Sequence, residues 1–181
     1  MLKILAGIID RIATVRVLVV LTLLSILFPI VVFPATGLGD VMPLDLYLSY
    51  APGQVYTYLG RLGDNGRIAY ARVELTTDLV FPVVYSLGLA VALRMVARKL
   101  LPSGRLQSLC LFPLLIVIAD WCENLSLAVV IHAFPARLDM IVNVASFFTS
   151  LKWALIILVV MTLFITGAFV VGKQLLDKRG G

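Results

Sequence analysis

Residues 106–131 read LQSLCLFPLLIVIADWCENLSLAVVI. At 1.5 Å per residue this run reaches ~39 Å as a helix, more than the ~30 Å hydrocarbon core of a bilayer requires. It is a membrane-spanning helix by length and apolarity, yet it carries Asp120, Glu123 and Asn124 in its interior. Those two facts frame the reading of the whole chain.

Three further stretches qualify as spans, Val17–Phe33, Leu75–Leu93 and Ile141–Val171. Backbone in hydrocarbon must satisfy its own hydrogen bonds, and no alternating ten-residue strands occur, so all four spans are expected to be helices. The expectation is an all-α fold, one integral membrane bundle of four transmembrane helices over residues 1–181. The composition agrees: of 181 residues, 61% are hydrophobic and 14% charged, with mean hydropathy +1.07. That excludes a water-soluble globule, in which charged residues make up roughly 25%. The last span is longer than a bilayer needs, and its unbroken apolar part starts at Trp153. Ile141–Ser150, with Asn143, Ser146, Thr149 and Ser150, is therefore expected to line a polar cavity or protrude.

The basic excess, net charge +5, reports orientation. Lys3, Arg11 and Arg16 precede span one; Arg94, Arg98, Lys99 and Arg105 link spans two and three; Lys173, Lys178 and Arg179 follow span four. The opposite side has Arg61, Arg67, Arg72 and Arg137. The positive-inside rule puts both termini on the cytoplasmic side, and the surplus attracts anionic headgroups. No basic stripe with interleaved aromatics exists outside the spans, so nucleic acid is not an expected partner. The 17-residue first run exceeds a signal-peptide core and Phe33-Pro34-Ala35-Thr36-Gly37 makes a poor cleavage site, so span one reads as a retained anchor.

Residues 34–74 form the outer-side loop. Pro34, Gly37, Gly39 and Pro43 read as turns, and Val55, Tyr58, Leu59 and Leu62 recur at helical spacing before the breaker Gly63-Asp64-Asn65-Gly66. A short amphipathic helix on the outer interface is expected. Tyr47, Tyr50, Tyr56 and Tyr58 read either as an interfacial belt or as a lid over a site below.

The informative residues are those whose charge is expensive at membrane depth, about 2.5 to 3.5 kcal/mol each on insertion scales. They are Asp78, Asp120, Glu123 and Lys152. Asp120, Glu123 and Asn124 share one helix face at i, i+3 and i+4. An unbroken second helix would align Arg67, Glu74, Asp78 and Tyr85, and Pro82 would free the carbonyl of Asp78 from the helix ladder for a cation, a water or a donor from another helix. Lys152 is the expected counter-charge of Asp120 or Glu123, its alternative being to snorkel to the outer interface. Close carboxyl pairs serve acid/base work on a substrate, proton relay or cation binding, and they also join helices.

Other chemistries find no support. Cys110 and Cys122 are ~18 Å apart along one helix, too far for a disulfide. His132 has no clustered ligands, so no metal or haem site is expected, and no cofactor motif appears. The sequon Asn124-Leu125-Ser126 lies inside a span.

The motifs Gly66-Arg67-x-x-Tyr70, Asp78-x-x-Phe81-Pro82-x-x-Tyr85 and Asp120-x-x-Glu123-Asn124, with the later Lys152, resemble a family of small, uncharacterised bacterial four-span inner-membrane proteins over roughly residues 52–155. That resemblance implies the fold and the choice of residues, and no activity. Trp121 beside Asp120 and Glu123 also gives a looser likeness to the emopamil-binding superfamily of four-helix sterol isomerases and lipid-ligand receptors, which implies a lipid-like ligand near intramembrane acids. The leading expectation is a binding site for a lipid or other amphiphile built from Asp78, Tyr85, Asp120, Trp121, Glu123, Asn124 and Lys152. One alternative is an enzyme using Asp120, Glu123 and Asp78 as catalytic acids and bases on a lipid or isoprenoid. Another is a structural subunit of a homo-oligomer or membrane complex, and ion or proton transport is a fourth.

Overall fold

The computed structural model describes residues 2–32, 42–100 and 107–179. The expected turns at Pro34, Gly37 and Gly39, and Arg105 in the basic link, lie outside the described residues. Among the described residues there are six α-helices and no strand: α1 (Leu2–Ile12), α2 (Val15–Leu27), α3 (Pro52–Glu74), α4 (Thr77–Leu100), α5 (Leu114–Ala133) and α6 (Asp139–Arg179). Three stretches are long and apolar enough to cross a membrane, Pro52–Leu100, Ser108–Ala133 and Asp139–Lys173; a bent pair, Leu2–Ile12 with Val15–Val31, makes a fourth if taken as one span.

α1 was not anticipated, because its cations read only as a flank. It meets the next helix at 96°, and the corner is built by Thr14, whose side chain caps α2 by accepting from the Val17 amide at 3.3 Å. Ala6 and Ile9 are buried against Ala90, Cys110 and Leu111. Asp10 Oδ1 accepts from Arg94 Nε at 2.5 Å and from Arg98 Nη2 at 2.8 Å, tying α1 to the end of α4. The Arg98 guanidinium, with Arg94, holds the Asp10 carboxyl below the usual carboxylate range against the opposing effect of burial. The same Arg98 donates to the carbonyl of Ala13, at 2.9 Å.

α2 continues into a π-helical turn over Phe28–Val32. Pro29 supplies no amide to the α-helical ladder there, which gives the looser turn a local cause. α3 differs from the expected short helix with a four-residue breaker. Only Gly63 leaves helical geometry, at φ +64, and helix resumes at once to Glu74. Glycine tolerates that left-handed φ, and Arg67 closes the break by pairing with Asp64 and donating to the Leu59 carbonyl. A turn at Leu75 and Thr76 separates α3 from α4, and of the residues expected along one stripe Glu74 and Asp78 are both buried. Arg67 instead lies over the Phe134 ring, at 4.3 Å.

α5 packs against α3, α4 and α6, and α2 lies on α4. Three apolar clusters result. One joins Leu44, Val55, Leu59, Tyr70, Leu127, Val130, Val142 and Ala145; a second is the α1 contact described above, and a third joins Ala13, Leu21 and Val91. Between the first two, along α4 and α5, lies a buried polar layer of Asp78, Asp120, Glu123 and Asn124, which Thr149 and Lys152 of α6 join. α6 has 41 residues, about 60 Å of helix, so its two ends lie beyond a ~30 Å core.

Candidate functional site

Lys152 organises the polar layer. Its Nζ lies 2.6 Å from Asp120 Oδ1 and 2.7 Å from Glu123 Oε2, with side-chain exposures of 4% for Lys152, 4% for Asp120 and 0% for Glu123. The spacing of Asp120 and Glu123, one turn apart on α5, lets a single ammonium on α6 meet both. Lys152 therefore points inward to this pair, and the snorkelling alternative does not hold. Burying an ammonium and two carboxyl groups together is tolerable because each carboxyl group meets the ammonium at contact distance.

Glu123 makes further contacts through its other oxygen. Oε1 accepts from Thr149 Oγ1 at 2.6 Å and from the Tyr50 hydroxyl at 3.3 Å. Tyr50 belongs to the segment that follows the short 3-10 turn Leu44–Leu46, and this segment lies along α6. The Tyr50 amide donates to Ser146 Oγ at 2.9 Å, Ser150 Oγ donates to the Leu48 carbonyl at 2.9 Å, and Trp153 Nε1 donates to the Asp45 carbonyl at 3.1 Å. The polar run at the start of α6 thus receives a strap of backbone, as side-chain hydroxyls can when a neighbouring chain lacks its own ladder. Of the four tyrosines expected as a belt, Tyr50 is buried, Tyr47 is exposed, and Tyr56 accepts the Leu138 amide.

Asn124 addresses the other neighbour. Its Nδ2 donates at 2.9 Å to the carbonyl of Asp78, the acceptor that Pro82, inside α4, leaves without a helical partner. A donor from another helix thus takes that position. The Asn124 Oδ1 atom and Glu74 Oε2 are buried with no protein donor.

A cavity of about 210 Å³ opens beside this layer. Phe81 and Tyr85 of α4 form one wall and Trp153 and Ile156 of α6 the other; Asp120 and Lys152 form the floor, and Asp45 and Leu46 the roof. Of the residues expected from sequence, Tyr85, Asp120 and Lys152 line the cavity, while Glu123 and Asn124 sit behind them in the helix contacts. Asp78 is buried and contributes its carbonyl, but it does not line the cavity. Trp121 is not brought into the site. One residue from Asp120 is ~100° around the helix, and Trp121 is 41% exposed, with its Nε1 donating to the Leu79 carbonyl at 2.9 Å.

The sequence reading missed Asp45, Tyr50, Phe81, Thr149 and Trp153 as site residues. Thr149 had a signal in the polar run before Trp153, and Tyr50 in its placement on a loop that could cover a site. Asp45 had none, because its position depends on the strap folding back over α6. Among the described residues no three His, Cys, Asp or Glu side chains are grouped so as to hold a metal ion.

Chemically, the arrangement offers a small apolar-walled chamber with a fixed ion pair on its floor and an additional carboxylate on its rim. Such a chamber suits a molecule with an apolar body and a compact polar end. No protein family, curated protein or solved structure matches the chain.

Proposed function

We propose that this protein is a four-span bacterial inner-membrane protein that binds a lipid or other amphiphile in the cavity between α4 and α6. The observation that carries the reading is the cavity itself, with aromatic and aliphatic walls from two helices and the Asp120–Lys152 pair on its floor. By helical rise Lys152 is ~20 Å from the outer end of α6 and Asp120 ~20 Å from that of α5. The polar floor therefore lies within membrane-spanning helices, where a ligand can enter sideways from the bilayer.

The four spans of this reading are α2, α4, α5 with the turn before it, and α6, with the part of α3 before Gly63 as the outer-side interfacial helix. Two contacts support cytoplasmic termini. Asp10 is tied to Arg94 and Arg98, which draws the N-terminal cations to the basic end of α4. α4 and α6 run in the same direction, since Tyr85 and Ile156 share the cavity while Ala97 and Thr166 share a groove further along, so Lys173 falls at that same end. The resemblance to small bacterial four-span proteins agrees with this layout.

Native mass spectrometry of the purified protein tests the ligand. An amphiphile adduct should survive mild detergent and disappear in Ile156→Trp, which fills the cavity from the α6 wall, while circular dichroism and elution volume stay unchanged. Absence of any adduct across several detergents would count against ligand binding. It would favour a second reading, a polar knot fixing helix register, which rests on the hydrogen bonds that join α4, α5, α6 and the strap.

A further inference from the structure

Glu123 stands between two openings of the protein. On one side is the cavity with Asp120 and Lys152 on its floor. On the other, beside the start of α3, is a pocket of about 420 Å³ lined among others by Tyr47, Tyr50, Gln54, Thr57, Tyr58 and Arg61; in the topology proposed above it faces the outer side. Tyr50 belongs to both surroundings, since it lines the pocket while its hydroxyl reaches Glu123 Oε1 at 3.3 Å. Contacts continue inward without a gap. Glu123 Oε2 meets Lys152 Nζ at 2.7 Å, and the same Nζ meets Asp120 Oδ1 at 2.6 Å. Each of these groups can give or take a proton, so a chain of exchangeable sites joins the pocket to the cavity floor.

The titratable groups facing Glu123 are Asp120 on its own helix, Lys152 of α6, Tyr50 and Asp45 of the strap, Glu74 of α3 and Asp78 of α4. With Glu123 they make five carboxyl groups to one ammonium, a set that is too costly to bury fully ionised. Even the innermost three, Asp120, Glu123 and Lys152, have one excess negative charge unless a carboxyl group holds a proton. The wall toward the pocket is itself polar. The Tyr58 hydroxyl and Glu74 Oε2 are buried with no hydrogen-bond partner among the described residues, and orphaned polar atoms of this kind hold ordered water.

We infer that Tyr50 relays protons between the outer-side pocket and Glu123, so that the charge on the cavity floor is set from that pocket. In the inward step a hydronium in the pocket gives its proton to the Tyr50 oxygen and leaves as water, while the Tyr50 O–H bond breaks and a bond forms between that hydrogen and Glu123 Oε1. Tyrosine ends neutral, as it began, and the carboxylate becomes a carboxylic acid. Lys152 then stays on Asp120, and the floor changes from one excess negative charge to a balanced pair. The outward step is the reverse. Thr149, whose Oγ1 lies 2.6 Å from Glu123 Oε1 and 3.1 Å from the Tyr50 hydroxyl, touches both groups but lines neither opening. The relay needs no ligand and so goes beyond the binding reading.

Time-resolved infrared difference spectroscopy on the full chain in phosphatidylcholine nanodiscs, with protons released by a flash from a caged acid and no amphiphile added, tests it. A carboxylic-acid band should rise after the flash and be missing in Glu123→Gln. Tyr50→Phe should slow the rise about tenfold with its final height kept. Gly53→Trp, which fills the pocket from α3 where an added Cβ meets no atom within 4 Å, should slow it likewise. Thr149→Val, which takes an equivalent contact from Glu123, should leave the rate near that of the parent. A band that persists in Glu123→Gln would overturn Glu123 as the holder of the proton. Parent-like rates in Tyr50→Phe and Gly53→Trp would overturn the route, and equal slowing by Thr149→Val would show that losing any contact suffices, which also overturns it. Each of these outcomes leaves the native-mass adduct, and with it the ligand-binding reading, to stand or fall separately.

Discussion

Replacing Lys152 with methionine removes the ammonium while keeping the length of the side chain, and leaves Asp120 and Glu123 buried without a counter-charge. The contacts at 2.6 and 2.7 Å each correspond to about 6 kcal/mol of Coulomb attraction at an effective dielectric of ~20. Desolvation of three buried groups offsets most of that in the intact protein, but not in the variant, where the carboxylates keep their burial and lose their partner. Deleting one member of such a pair costs about 3–5 kcal/mol. For a chain of this length the corresponding fall in melting temperature is about 10 °C. Thermal unfolding in detergent, followed by loss of the monodisperse elution peak, measures it. Adding Asp120→Asn and Glu123→Gln to Lys152→Met removes the uncompensated charges and should restore most of the loss. A Lys152→Met protein as stable as the parent, or a triple variant no better than Lys152→Met alone, would refute the ion-pair reasoning.

Asn124→Ala should cost about 1–3 kcal/mol by leaving the Asp78 carbonyl unpaired. In a Pro82→Ala background, where residue 82 regains an amide for that carbonyl, the cost should shrink; denaturant titration of the four proteins in this cycle reads the difference, and equal costs would count against it. Tyr50→Phe and Thr149→Val each remove a contact to Glu123 Oε1 and should destabilise by about 1 kcal/mol, with a double variant less destabilised than the two costs added together, as expected for partners of one acceptor. The pH dependence of α1 docking follows from Asp10. Its folded carboxyl lies below the ordinary 3.8, so the docking it provides is complete above that value and declines as pH falls through the lowered one. Hydrogen-exchange protection over residues 2–12, taken relative to the intrinsic rate at each pH, should fall in acid, and Asp10→Asn should lower it at neutral pH and flatten its dependence; since Asp10 is a third exposed, high salt weakens the effect.

How far the site could be read from sequence depended on what each residue costs where it lies. Asp120, Glu123, Asn124 and Lys152 announced themselves because polar groups inside apolar runs need partners, and the geometry of one helix already put three of them on a face. The Asp78 carbonyl was legible for a different reason, since Pro82 removes its partner by covalent structure alone. Asp45 and Tyr50 were not, because a loop's return to a helix about a hundred residues later leaves no local periodicity. Trp121 was drawn in by adjacency in sequence, which on a helix means a different direction. The break in α3 was over-read for a similar reason: four residues that disfavour helix occur in a row, but only Gly63 has to leave it. α1 was missed because a short apolar segment beside a span reads as its flank until Asp10 meets Arg94 and Arg98 from another helix.

The ammonium of Lys152 sits on a helix made after the one that bears the acids it holds. During synthesis Asp120 and Glu123 enter the bilayer before α6 exists, and through that interval α5 carries two acidic groups with no cation to meet them. Each acid must then meet the cost of burial alone or take up a proton. The cation that meets both acids of α5 thus comes from residue 152, the last part of the cluster to be made.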